Sequence, residues 1–153
     1  MERHELLTDP VVLAVGRNDP LHTSARPEST IDLAALADRD WLVPDLATTC
    51  HQMVEHACRA AGYVPRAIAQ CIDFPAMLAL VGVGEAIALV PRLATYQLPD
   101  SVALHPISPG TVRHIFALTR PGGTRHPAVR VVLDHLTKSA SRRAIDRASE
   151  LPS

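Results

Sequence analysis

Lysine is nearly absent from this chain. Of fifteen Lys+Arg residues Lys138 is the single lysine, and sixteen Asp+Glu bring the formal net charge to −1. No global basic field therefore advertises nucleic-acid binding. The basic residues that do gather, Lys138, Arg142, Arg143 and Arg147, are spaced like a solvated helix end, which is weak ground for nucleic-acid contact. A secretory signal is missing as well: Met1-Glu2-Arg3-His4-Glu5 is charged, and the apolar run 11–15 is too short for an h-region. The longest apolar region, 74–91, is interrupted by Pro75, Gly82, Gly84 and Glu85, which excludes a membrane span. Three cysteines, an odd number, make no disulfide framework and fit a reducing compartment. The expectation is a soluble cytoplasmic protein.

Catalytic and metal motifs are missing too. His51 and His56 stand about 140° apart around a helix, so they cannot chelate one ion from one face. Gly82-Val83-Gly84 follows a helix and precedes a strand, the reverse of a dinucleotide fingerprint, and Ile87 stands where the third glycine belongs. A Cys50–His51 nucleophile pair has no signal for an orienting third group. No internal repeat is visible. The chain reads as a non-enzyme, with no catalytic residue, metal or cofactor expected.

What is present is a hydrophobic fraction of 47% against 20% charged residues over 153 positions. That suits one domain, or one complete lobe plus part of another. The continuous apolar run 11–15 predicts a strand buried on both faces in a parallel-type sheet. Asn18-Asp19-Pro20 breaks it, and 21–29 reads as a loop. Thr30 is a cap for a short helix carrying Leu33 and Leu36, and Trp41-Leu42-Val43 is a strand stopped by Pro44. Thr49 and Gln52 make a capping-box pattern. Met53, Val54, Ala57 and Ala61 follow at helical spacing, and Gly62 is the stop.

Residues 67–71 read as a strand, and Asp73 caps a helix with Pro75 in its first turn. That helix runs through Leu78-Ala79-Leu80-Val81 into Gly82-Val83-Gly84, glycines that serve as left-handed stops, and a strand over 86–90 ends at Pro91. The alternation implies a parallel three-layer lobe. Strands are expected at 102–105 and 113–119, with a turn at Pro121-Gly122-Gly123. Pro127 opens a last helix with Val129, Val132, Leu133 and Leu136 on one stripe, and 138–153 continue weakly helical into a polar tail.

Two of these phrases carry a resemblance. Gly62-Tyr63-Val64-Pro65 and the glycine-punctuated run 78–91 resemble the effector-binding domain of LysR-type transcriptional regulators, whose pattern is "aG-hydrophobic-x-P … LVaaGxGialvP". The match extends over roughly residues 6–137. It implies an α/β fold like the type 2 periplasmic binding proteins: one complete Rossmann-like lobe plus a partial second lobe, joined by two crossover strands. On that plan 1–20 are a remnant of the first lobe with the outgoing crossover. Residues 21–91 are the complete second lobe, 92–137 the returning part of the first, and 138–153 a C-terminal tail. The winged helix-turn-helix of the family and the opening of its first lobe have no counterpart here, so the first lobe is expected to expose apolar surface.

The resemblance also implies a site and partners. In the family the segment matching 48–51 faces the interlobe cleft and contacts a small effector. The expected ligand-binding residues are Thr48, Thr49, Cys50, His51, Asp73 and Phe74, around a small anionic metabolite. Free N–H groups at a helix start favour an anion by about 0.3–1 kcal/mol when exposed, enough to orient a ligand but not alone to bind one. The plain reading stands beside it, in which Thr49 and Asp73 are helix caps and Phe74 is core. Peroxide-sensing members of the family use two cysteines in this region, which Cys50 and Cys58 only partly match. The family pairs side by side, pointing to the helices 49–61 and 127–136. Expected partners are the effector and a second copy or a full-length regulator. No direct DNA contact is expected, and the alternative is a truncated, ligand-free interaction module.

Overall fold

The computed structural model describes residues 1–26 and 29–149. The chain separates into two compact units, a larger one over Pro10–Val112 and a smaller one made of Met1–Asp9 with Arg113–Ser153. The fold is α/β, with strands and helices alternating along most of the chain.

The larger unit begins inside β1 (Glu2–Gly16), whose residues 11–16 are all buried. After Gly16 comes α1 (Pro20–Ser24), a helical turn where the sequence reads as loop; Asp19 caps it and Pro20 takes its first position, where a missing N–H costs nothing. Residues 27–28 of the predicted loop lie outside the described residues. β2 (Ile31–Asp32) leads into a 3-10 turn over Leu33–Leu36, and Asp32, not Thr30, is its cap, accepting from Ala34 N. The carboxylate lies one residue before the turn, within reach of its free amides.

β3 (Asp40–Pro44) then connects through α2 (Thr49–Ala60) to β4 (Arg66–Cys71), with which it pairs in parallel. α2 is capped by Thr48, which has extended dihedrals and accepts from His51 N, so the cap lies one residue before the Thr49 that the predicted capping box with Gln52 required. Asp45 causes the displacement: its carbonyl takes both the Thr48 amide and hydroxyl, which fixes Thr48 as the last non-helical residue. Gly62, at φ +97, takes the left-handed position after the helix.

α3 (Phe74–Val83) follows, capped by Asp73 and ended by Gly84 at φ 94. Of the two glycines read as stops, only Gly84 is one. Gly82 remains helical, and a Cβ there would meet the Ser101 Oγ at 2.2 Å, so its smallness serves close packing. β5 (Ala88–Pro91), β6 (Val102–His105) and the two-residue β7 (Ile107–Ser108) complete the unit. β1 lies between β5 and β6, and both run antiparallel to it. The expected parallel setting is corrected here: an unbroken apolar run reports burial on two faces and says nothing of strand direction. A parallel bridge from Trp41 to Ile87 joins β3 to the approach of β5.

Period-two alternation along β1 feeds two cores. Val11, Leu13 and Val15 pack with Leu33, Leu36, Trp41, Val43, Val54 and Leu89 on the α2 side. Val12 and Ala14 pack with Leu42, Met77, Leu78, Val81 and Val90 on the α3 side. That is the three-layer arrangement of helix, sheet and helix.

The smaller unit holds the first part of β1, β8 (Val112–Thr119), a 3-10 turn over Gly123–Arg125 and α4 (Pro127–Ser149). β8 pairs with β1. The predicted stripe on α4 is divided: Val129 and Leu133 are half-buried, while Val132 and Leu136 are exposed. The helix extends through most of the predicted tail, of which 150–153 lie outside the described residues. Among the described residues, Ala140 is the one buried hydrophobic side chain of this unit, beside the buried Asp9.

Candidate functional site

The parallel strands β3 and β4 both end, at Pro44 and Cys71, where a helix begins shortly after. In an open α/β sheet that edge is where ligands collect. A cavity of about 70 Å³ lies there, lined by Pro44, Thr48, Cys50, Cys71, Ile72, Asp73, Phe74 and Met77. The starts of α2 and α3 both reach it through their caps Thr48 and Asp73.

Of the six residues expected to contact a ligand, the cavity brings together Thr48, Cys50, Asp73 and Phe74. Thr49 and His51 are not on its wall. His51 is buried, and its Nδ1 lies 3.0 Å from the Pro44 carbonyl, so it donates there and ties α2 to the end of β3. The Thr48 hydroxyl donates to Asp45 O at 2.7 Å and accepts from His51 N at 3.2 Å. Asp73 Oδ1 accepts from Ala76 N at 2.8 Å. Sequence reasoning missed Pro44, Cys71, Ile72 and Met77; their position at or beyond a strand end, just before a capped helix, was the available signal. Among the described residues no three His, Cys, Asp or Glu side chains gather as a metal site, and no helix is long and apolar enough to cross a membrane.

The cysteines carry free thiols. Burial pushes the Cys58 thiol up, although a hydrogen bond with Tyr63 works the other way, and burial likewise raises Cys71, reinforced by the charge of Asp73. Raised thiols are poor thiolates and poor nucleophiles. Cys50 and Cys58 are eight residues apart on α2, about 12 Å of helical rise, beyond the ~7 Å that a disulfide spans between Cα atoms. Peroxide treatment of the folded protein should therefore leave them unbridged. Mass spectrometry under non-reducing conditions checks this, and a Cys50–Cys58 linked peptide would refute it.

A second polar cluster lies apart from the cavity. His105, on β6, is buried; its Nε2 is 3.0 Å from His22 Nδ1 and its own Nδ1 is 3.4 Å from Ser29 O. A carbonyl only accepts, which assigns the proton of neutral His105 to Nδ1 and makes Nε2 the acceptor for His22. Burial holds the His105 pKa below its ordinary 6.5; the Ser29 carbonyl opposes this and the charge of His22 adds to it. The folded state thus takes up its proton at lower pH than the unfolded chain. Stability from this group is complete above about pH 6.5 and is lost as pH falls through the folded value. Urea titrations at about pH 7.5 and 5.5 should show the wild type weakening more than His105→Leu. Equal losses would refute the assignment.

The sequence profile of the LysR substrate binding domain matches residues 1–141. A comparison with curated protein sequences finds no match. Among solved structures the chain is similar to the regulatory domain of CcmR from Synechocystis PCC6803 in complex with 2-PG, with TM-score 0.78 and 15% identity over 91% of this chain and 66% of that one. It is similar to the effector binding domain of QuiR in complex with shikimate, with TM-score 0.70 and 22% identity over 92% of this chain and 66% of that one. The H2O2-bound C206S mutant of Corynebacterium glutamicum OxyR gives TM-score 0.74 and 21% identity, over 97% of this chain and 47% of that one. The chain thus spans just under two-thirds of the regulatory domains it matches. With nearly its whole length matched, the chain belongs to the LysR substrate-binding-domain family.

Proposed function

We propose that this chain is the effector-sensing part of a LysR-type transcriptional regulator, cytoplasmic, non-enzymatic and homodimeric, and that it takes a small anionic metabolite at the cavity between α2 and α3. The observation that carries this reading is the convergence of two helix starts at the carboxyl ends of two parallel strands. Backbone amides and two helix dipoles favour a negative group there. At about 70 Å³ the cavity has room for one acidic group and not for a whole metabolite, so it seats one end of the ligand. Asp73 on the same wall accepts hydrogen bonds, which favours a ligand that carries a hydroxyl near its acidic end. The ligands of the matched domains, 2-PG in CcmR and shikimate in QuiR, make small molecules of this size the first compounds to try. Binding would shift a conformational equilibrium that the rest of the regulator reads.

Calorimetry against a panel of carboxylates and phosphorylated hydroxy acids tests the reading, with Thr48→Val as the site variant. Loss of this cap costs about 1 kcal/mol of stability, so fluorescence of Trp41, buried in the same unit, verifies folding. Weaker binding in the folded variant supports the site; unchanged affinity rejects it.

A further inference from the structure

The turn α1 is held to the larger unit in two places. At its start Asp19 is paired with Arg39, and farther along His22 meets His105 of β6. The two rings lie edge to face, with centroids 5.2 Å apart and the facing nitrogens 3.0 Å apart. The N···N axis therefore runs close to both ring centres, the alignment of a near-linear hydrogen bond. Leu21 of the same turn packs on the cluster that holds Leu13, Leu33 and Trp41, so the contact also keeps apolar surface covered.

This bond tolerates a proton on one side only. His105 Nδ1–H donates to the Ser29 carbonyl, and His105 Nε2 accepts from His22 Nδ1–H. The Nε2 of neutral His22 then carries no proton, on a ring that is only half-buried. A proton arriving there leaves the contact intact and makes it charge-assisted. A proton on His105 Nε2 does the opposite. It sets two donors against each other and leaves a buried imidazolium with an unpaired N–H.

The charge acting on His105 is that of His22. β1 sets Leu13 opposite it, Asp32 of β2 caps the following turn, and Asp19 is engaged by Arg39. The Ser29 hydroxyl beside the pair is buried without a hydrogen-bond partner among the described residues, so admitting water there relieves it.

We propose that the His22–His105 contact is a proton-operated clasp: protonation of His105 Nε2 releases α1 from β6 while Asp19 and Arg39 hold its start in place. The device goes beyond the function given above and does not depend on the α2–α3 cavity. Burial, with the His22 charge adding to it against the Ser29 carbonyl, holds the clasped His105 below its ordinary 6.5. Once released, the ring is an ordinary imidazole and takes up the proton that the clasped one refuses. Opening thus gains one proton, and the released population rises about tenfold for each unit of pH below about 6.5. The Asp19 carboxyl stays ionised to below 3.8, so the anchor outlasts the clasp.

Imidazole and amide 15N NMR of the 153-residue chain, titrated from about pH 7.5 to 5, tests the clasp. His105 is expected to hold its proton on Nδ1 at the start and to gain one on Nε2 in acid. Amides 21–24 should shift with that step and not with the titration of His22, while amides of the β1–β5 ladder stay unmoved. His105→Gln places an amide oxygen where Nε2 stood, and its α1 amides should stay unshifted in acid. His22→Asn should keep the response, because the deciding nitrogen is on His105. Trp41 fluorescence verifies that each variant is folded, and the wild-type titration decides alone if one is not. Titration of His105 Nε2 without movement of α1 overturns the proposal, as does movement of α1 in step with the ladder. A response that survives His105→Gln, or is lost in His22→Asn, also overturns it.

Discussion

Truncating Leu13 to alanine is expected to cost about 3–5 kcal/mol, close to the upper end for a buried leucine. Leu13 has no exposed surface and lies on the central strand, opposite Leu89 on one side and His105 on the other. Its side chain enters the cluster that holds Trp41, Val54 and Ile87. Backbone ladders on both sides prevent the strand from sinking into the space left behind, so the cavity term adds to the lost transfer energy. Urea unfolding followed by Trp41 fluorescence should show a lower midpoint at nearly unchanged slope. A loss below about 1 kcal/mol would show that the sheet relaxes and that β1 is not the rigid centre of the unit.

The second large effect concerns a charge. Asp19 is almost fully buried, and Arg39 binds it with both terminal guanidinium nitrogens, one bond measuring 3.2 Å. Burial alone would raise the Asp19 carboxyl. The Arg39 hydrogen bonds, the Leu21 amide and the guanidinium charge together outweigh it and hold the carboxyl below its ordinary 3.8. Arg39→Met removes the counter-charge and leaves the carboxylate with the Leu21 amide at 2.9 Å, at a cost of about 3 kcal/mol near neutral pH.

The pH dependence follows from the direction of that shift. A depressed carboxyl stabilises the fold fully above the ordinary carboxylate range, and the stabilisation is lost as pH falls through the folded value. The gap between wild type and variant should therefore be widest near pH 7 and close toward about pH 3. A gap constant with pH would assign the loss to packing of the arginine stem instead of its charge.

Much of the fold was legible because local rules carried it. Gly62 and Gly84 both adopt positive φ and end their helices where the sequence places the stops. Of the stripe predicted on α2, Val54 and Ala57 are buried and Met53 and Ala61 half-buried. Two kinds of error came from information that a local pattern lacks. Strand direction depends on which distant segments arrive beside β1, and the run 11–15 is silent on that. With Thr48 and Thr49 adjacent, the choice of cap depended on the Asp45 carbonyl, a contact made through the turn.

The candidate site divides similarly. The resemblance supplied Thr48, and strand ends and caps set Asp73 and Phe74 towards the same sheet edge. The inward turn of His51 toward Pro44 depends on helix rotation, which periodicity gives only coarsely. The resemblance gave exposed apolar surface on the first lobe as an expectation, while the pairing of β8 with β1 needed the structure.

The placement of β1 also bears on how the protein is made. Its ladder partners β5, β6 and β8 all lie in the later part of the chain. β3, α2 and β4 can assemble from one short stretch, but the run 11–15 is made before either of its described ladder partners β5 and β6. At roughly 5–20 residues per second, it waits several seconds before residue 105 follows it out. Such late, long-range closure predicts folding in milliseconds to seconds, not microseconds. During synthesis, the strand that ends most deeply buried in the larger unit is the one longest without a partner, and it is where a chaperone would be needed first.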